Sequence, residues 1–179
     1  MTTLSLISFL SLAGLTHGVM GYNSAPHDES IFTIETTGIV PASLEKVWQA
    51  WTTSEGICTW MVPSGKVDFR INGSYRTSYN PGSDLTGPEV IENKILAYDP
   101  LRMITINNAK TPADFPFKEA MAKTWTVIYF KSIEANRTEV TVRMNGFDES
   151  SDSKNLKKFF TVGNKQTIDA LVKLFEKSK

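Results

Sequence analysis

Ile39-Val-Pro-Ala-Ser-Leu-Glu-Lys-Val-Trp-Gln-Ala-Trp-Thr-Thr-Ser-Glu-Gly-Ile-Cys-Thr-Trp60 holds a strand end, a helix start and a second helix in one short run. Pro41-Ala42-Ser43 closes the β-branched pattern and opens a helix, for which Ser43 offers a capping hydroxyl. Lys46 stands where a capping box would want glutamate, so the cap is imperfect. Leu44, Val47, Trp48 and Trp51 fall on one helical face, which predicts that both indoles pack between this helix and a sheet. Thr53-Ser54-Glu55 restarts a short second helix that ends near Trp60-Met61, and Pro63-Ser64-Gly65 breaks it.

Outward from this segment the pattern is mostly β. Ile31–Val40 partly alternates and is rich in β-branched residues, so it reads as a strand. Lys66–Ile71 and Ser74–Asn80 flank Asn72-Gly73, a strong hairpin signal. Glu89–Tyr98 and Met103–Asn107 flank the Asp99-Pro100 turn. Thr124–Ile133 and Glu139–Met144 form a further hairpin, after an excursion over residues 108–122. The chain closes on a long helix, roughly 154–177, in which Leu156, Phe160, Gly163, Thr167, Ile168, Leu171, Leu174 and Phe175 share one face. Gly163 interrupts that stripe at a cost of ~1 kcal/mol against alanine. Its reason is either close backbone approach or space left beneath the helix. Strands grouped apart from helices predict one α+β domain over residues 31–179.

The chain has 179 residues and a mass of 19.9 kDa, with 41% hydrophobic and 21% charged residues. That balance suits a soluble globular fold. Nineteen Lys+Arg offset nineteen Asp+Glu, so no global charge favours nucleic acid. A single cysteine, Cys58, rules out an internal disulfide and a cysteine-cluster zinc site. The two histidines, His17 and His27, sit near the N-terminus, against a multi-histidine metal site or a Ser-His-Asp triad. No cofactor is called for. Residues 1–21 lack Lys, Arg, Asp and Glu, and Leu4–Leu15 is apolar, so residues 1–21 read as a signal peptide and 22–30 as a polar linker. Cleavage would leave an exported, periplasmic or secreted protein without a stable membrane span; retention would leave a cytoplasmic one.

The Ile39–Trp60 run, with its Val-Trp-x-Ala-Trp-Thr core, resembles the opening of SRPBCC-superfamily proteins. The resemblance is strongest to the subfamily named after the activator of the heat-shock chaperone ATPase. Val67–Arg76, Ala97–Met103, Thr138–Phe147 and the Gly163–Leu171 helix follow in the same order, so the match spans about residues 31–177. It implies a helix-grip (START-like) fold: a curved antiparallel sheet around the C-terminal helix, with two short helices after the first strand. Three positions depart from the family pattern, with Met61, Asn107 and Asn164 standing where aromatics are usual. The family spans lipid and small-molecule binders, cyclase-like enzymes and co-chaperones.

The resemblance implies a pocket between the last helix and the concave sheet face. Its candidate lining is Trp60, Met61, Tyr75, Thr77, Tyr79, Asn107, Trp125, Phe160, Gly163, Asn164 and Thr167. Tyr75, Thr77 and Tyr79 alternate onto one strand face, so inward tyrosine hydroxyls could orient a ligand. Asn107 and Asn164 could each offer donor and acceptor. Both faces of Trp125–Phe130 are apolar, so periodicity leaves the inner face open. Phe115, Phe117 and Met121 in the long excursion are candidates for a lid. Asp68, Glu89, Glu92 and Asp99 read as outer-face carboxylates, and no spacing insists on an acid/base pair. The leading expectation is a non-enzymatic binder or carrier of a small hydrophobic or amphipathic ligand. A cyclase, dehydratase or hydrolase using the same cavity and a co-chaperone-like protein-interaction module are the alternatives.

Overall fold

The alternating segments pair into a single antiparallel sheet of seven strands in the computed structural model, which describes residues 29–177. The expected signal peptide, residues 1–21, and the linker up to residue 28 lie outside the described residues. Glu29–Ile31 form one 3-10 turn. The strands are β1 (Thr33–Val40), β2 (Ser64–Val67), β3 (Ser74–Ser78), β4 (Ile91–Asp99), β5 (Met103–Lys110), β6 (Trp125–Glu134) and β7 (Arg137–Asn145). Their spatial order is β1-β7-β6-β5-β4-β3-β2. Four helices complete the chain: α1 (Leu44–Thr52), α2 (Ser54–Cys58), α3 (Lys118–Ala122) and α4 (Ser151–Glu176). The sheet curls into a half-barrel around α4, the α+β helix-grip arrangement expected from the sequence.

The core forms where α1 and α4 meet the concave face. Val47, Ala50 and Trp51 of α1 and Ile168 and Leu171 of α4 pack on Ile104, Ile128, Phe130, Val140 and Val142. Trp48 meets Phe130 edge-on at 5.2 Å, and Trp51 meets Trp60 at 5.0 Å. Both indoles thus lie between helix and sheet. On β6, Ile128 and Phe130 turn inward while Trp125 and Tyr129 are exposed, which settles the face that periodicity left open. Gly38 of β1 lies close against α4, because a Cβ there would overlap Ile168 Cγ2.

Several boundaries shift for local reasons. The strand before Asn72-Gly73 ends at Val67 instead of Ile71. Asn72 N–H donates to Ile95 O and Gly73 O accepts from Ile95 N–H, so the turn is tied to β4 and widens beyond a two-residue loop. Asn72 takes a φ of 61°, a left-handed conformation that asparagine tolerates. α2 ends at Cys58, but a hydrogen bond from Met61 N–H to Ile57 O carries the turn on to Met61. α4 starts earlier than expected because the Ser150 hydroxyl caps it, accepting from Ser153 N–H.

Candidate functional site

Between the middle of α4, the sheet wall from Tyr79 after β3 through Ile91 of β4 and Asn108 of β5, and the 111–122 excursion lies a cavity of about 500 Å³. Phe160, Gly163, Asn164 and Thr167 enter it from α4, with Phe159, Gln166 and Ala170 beside them. Trp60 and Met61 close it from the end of α2. Tyr79, Ile91 and Asn108 form the sheet wall, and Phe115 and Met121 come from the excursion. Glu89, Thr111 and Pro112 lie at the same wall. The excursion is anchored by aromatic edges: Phe115 meets Phe117 at 5.8 Å and Phe159 at 5.7 Å.

Nine of the sequence-derived candidates therefore share one cavity: Trp60, Met61, Tyr79, Phe115, Met121, Phe160, Gly163, Asn164 and Thr167. Tyr75, Thr77, Asn107, Trp125 and Phe117 are placed outside its wall. Tyr75 does turn inward, but α2 covers it, and it packs with Ile57 and Val62. Its hydroxyl reaches only Met61 Sδ, at 3.9 Å. Burial, with a smaller contribution from Cys58, pushes the phenol above its ordinary range, so it remains neutral. Thr77 is buried two residues along the same strand, paired with Gly65 and Ile91. Trp125 lies on the convex side, 43% exposed, and Asn107 is its register partner on β5. Phe117 packs against the cluster of Ile34, Ala120, Met144, Phe147 and Leu156.

Asn108, not Asn107, is the β5 asparagine in the cavity. Ile104 and Ile106 already point inward, so period-2 alternation names residue 108. Phe159 and Ala170 extend the helical spacing of Phe160, Gly163 and Thr167 and were legible the same way. Glu89 was assigned to an outer face, yet it reaches the cavity wall from the loop before β4.

Four of the polar side chains of this wall, Trp60, Asn108, Thr167 and Glu89, are committed to hydrogen bonds. Trp60 Nε1 donates to Ala50 O at 3.0 Å, and Thr167 Oγ1 donates to Gly163 O at 2.9 Å. Asn108 Nδ2 donates to Lys110 O at 3.0 Å and to Glu92 O at 3.4 Å. Asn164 Nδ2 differs, being shielded from solvent without a hydrogen-bond partner. Such a group costs roughly 1–3 kcal/mol while it stays unpaired. Glu89 accepts from the Ser83 hydroxyl at 2.8 Å. Its own backbone N–H and then that hydroxyl hold the carboxyl below its usual range, so it is ionised at neutral pH. Glu89 and the Tyr79 phenol are the titratable side chains that line the cavity, and the neutral Tyr75 is covered outside its wall. Among the described residues no group of three His, Cys, Asp or Glu is arranged to hold a metal ion. Nor, among them, is any helix long and apolar enough to cross a membrane.

The half-barrel and its central helix recur in solved structures. A protein from Mesorhizobium loti superposes with a TM-score of 0.63 at 17% identity, covering 82% of this chain and 98% of that one. The Aha1 dimer from Colwellia psychrerythraea gives 0.56 at 19% identity, covering 78% and 95%. An Hsp90 activator from Plasmodium falciparum gives 0.51 at 14% identity, covering 73% and 88%. These likenesses concern the fold. No curated protein matches the sequence. Residues 41–176, from the first helix to the end of α4, match the model of one protein family. The chain is a member of that family, the Activator of Hsp90 ATPase homolog 1-like proteins.

Proposed function

We propose that the protein binds a small hydrophobic or amphipathic molecule in the cavity between α4 and the sheet. Gly163 carries this reading. It sits in the middle of a 26-residue helix, lines the cavity, and has nothing within 4 Å of the place its Cβ would take. A glycine that costs ~1 kcal/mol in helix propensity and makes no close contact keeps volume open instead. The surrounding wall of Trp60, Met61, Ile91, Phe115 and Phe160 suits an apolar body, as small-molecule sites usually do. Phe115 and Met121 act as a lid that a ligand must displace.

The test uses N-phenyl-1-naphthylamine (NPN), an uncharged dye whose emission rises in apolar surroundings. The wild type binds it, and Gly163→Trp, which fills the cavity, loses at least about tenfold in affinity while far-UV circular dichroism stays unchanged. Equal binding by both proteins, or none by the wild type, would refute the carrier reading. A co-chaperone role is the second reading, favoured by the family description and by the Plasmodium protein's description as an Hsp90 activator. Dye binding absent from the wild type, together with stimulation of a chaperone ATPase, would favour it.

A further inference from the structure

We propose that the cavity mouth docks on an anionic lipid surface through the exposed face of α4, and that the carrier exchanges its ligand there. The contact adds a partner to the carrier reading above and rests on that reading only for its purpose. Tyr79 and Phe159 line the cavity yet are 69% and 54% exposed, so they stand on its rim. Val162, 59% exposed, lies three residues beyond Phe159 on the same outer side of the helix. Phe159 and Val162 are the two large apolar side chains that α4 leaves to solvent. Both sit at the cavity's end of the helix, next to Phe160 and Gly163 of the wall.

The charge around them is one-sided. From Ser153 to Ile168 the helix carries Lys154, Lys157, Lys158 and Lys165 and no acid. Lys154, Lys158, Val162 and Lys165 follow one another at helical spacing, all exposed, and so form one stripe. Lys157 donates to the Ser30 and Ile31 carbonyls, and Lys165 pairs with Asp169 at 2.6 Å. Lys154 and Lys158 are thus the unpaired cations of the stripe among the described residues. The other sides of the mouth carry more acid than base: Asp84 and Glu89 against Lys110, and Asp114 and Glu119 of the excursion against Lys118. An anionic surface is therefore drawn to the α4 side and repelled by the others, which lays the helix along it. Phenyl and alkyl groups between lysines suit a helix lying in the headgroup layer, with the long lysine stems reaching the phosphates. A protein partner fits less well, because lysine is depleted from protein interfaces and a stable one engages about 20 residues a side.

The experiment is flotation of the full chain with phosphatidylcholine vesicles, with and without phosphatidylglycerol. At low salt the wild type binds the anionic vesicles about tenfold more than the neutral ones, and the excess disappears at about 1 M salt. Lys154→Glu combined with Lys158→Glu lowers that binding at least about tenfold, and Val162→Asp does the same. NPN affinity, read without vesicles, stays within about twofold of wild type in both, because none of the three side chains lines the cavity. Arg102→Glu combined with Lys131→Glu makes the same change in net charge at the far end of β5 and β6 and leaves vesicle binding intact. Equal binding to both kinds of vesicle overturns the proposal, as does a Lys154/Lys158 variant that binds like the wild type or a control that loses as much. Absence of vesicle binding, with a self-associating wild type that Val162→Asp renders monomeric in sedimentation, assigns the face to a protein partner and overturns it too. Each of these results leaves the carrier reading standing where NPN remains bound. A wild type that binds anionic vesicles but not NPN overturns the carrier reading and, with it, the exchange of ligand at the surface.

Discussion

Two glycines near α4 have opposite reasons to be there. At Gly38 a Cβ would run into Ile168 Cγ2, a side chain fixed in the core between α4 and β1. At Gly163 a Cβ would meet nothing. From the sequence, Gly163 could mean either close approach or open space, and the close approach proves to be at Gly38. The sequence signals the oddity of a glycine in a helix, but the helix's neighbour is a strand more than a hundred residues away. Gly38→Ala is expected to lower stability by about 1–3 kcal/mol, because the β-branched Ile168 cannot simply swing aside. Gly163→Ala is expected to raise it by about 1 kcal/mol, through helix propensity without a clash. Urea midpoints of the two variants should move in opposite directions. A destabilised Gly163→Ala would mean that the space beneath the helix is smaller than described.

At the level of elements, the N-terminus of α4 is held by a cluster of short hydrogen bonds. Ser150 Oγ accepts from Ser153 N–H, and Ser153 Oγ accepts from Asp148 N–H at 2.8 Å. Asp148 in turn accepts from Ser150 Oγ and N–H and from Lys123 Nζ at 2.9 Å, tying α4 to the segment before β6. The Ser150 hydroxyl, followed by the Lys123 ammonium, holds the Asp148 carboxyl well below the usual carboxylate range. A depressed folded-state pKa means that the stabilisation is complete above the ordinary value of ~4 and is lost as pH falls through that value toward the folded one. Asp148→Asn should therefore be less stable than wild type at neutral pH, with the gap closing below about pH 4. Urea titrations at neutral and acid pH check this; a gap that widened in acid would show that the carboxylate is not the stabilising form. Ser150→Ala should cost about 1 kcal/mol for the lost N-cap in acid, and more at neutral pH, where its hydroxyl also donates to the Asp148 carboxylate. The apolar stripe placed this terminus near residue 154, three residues late, because Ser151–Ser153 carry no apolar side chain to extend it. The β5 register was less legible. Asn107 and Asn108 differ by one residue, and a one-residue step exchanges the faces of a strand. The pairing of Asn93 with Asn108 and of Glu92 with Lys110 records an irregularity that no local pattern announces.

Across the whole molecule the same helix serves two purposes at different points along its length. Ile168 and Leu171 belong to the core with α1 and the inner face of β5–β7, whereas Phe159 through Thr167 border the cavity. The order of strands and helices was legible from alternation, turn residues and the long apolar stripe, and so was the existence of a pocket from the family resemblance. The split of the concave face into a filled part and a hollow part was not. It depends on Ile57 of α2 packing over Tyr75 and on the excursion closing against Phe159, both tertiary choices. The division makes stability and binding separable. Leu171 is fully buried and does not line the cavity, so Leu171→Ala should cost about 2–5 kcal/mol while leaving the NPN affinity of the folded protein within about twofold of wild type. Phe115→Ala trims the lid, which is only partly buried. It should cost less stability and raise the dye's dissociation rate by about threefold or more, since changes at a binding wall act mainly on release. Stopped-flow release of NPN and urea unfolding on both variants decide the matter. Parallel losses of stability and binding in both would mean that the cavity has no independent role and is only a gap in the packing of the fold.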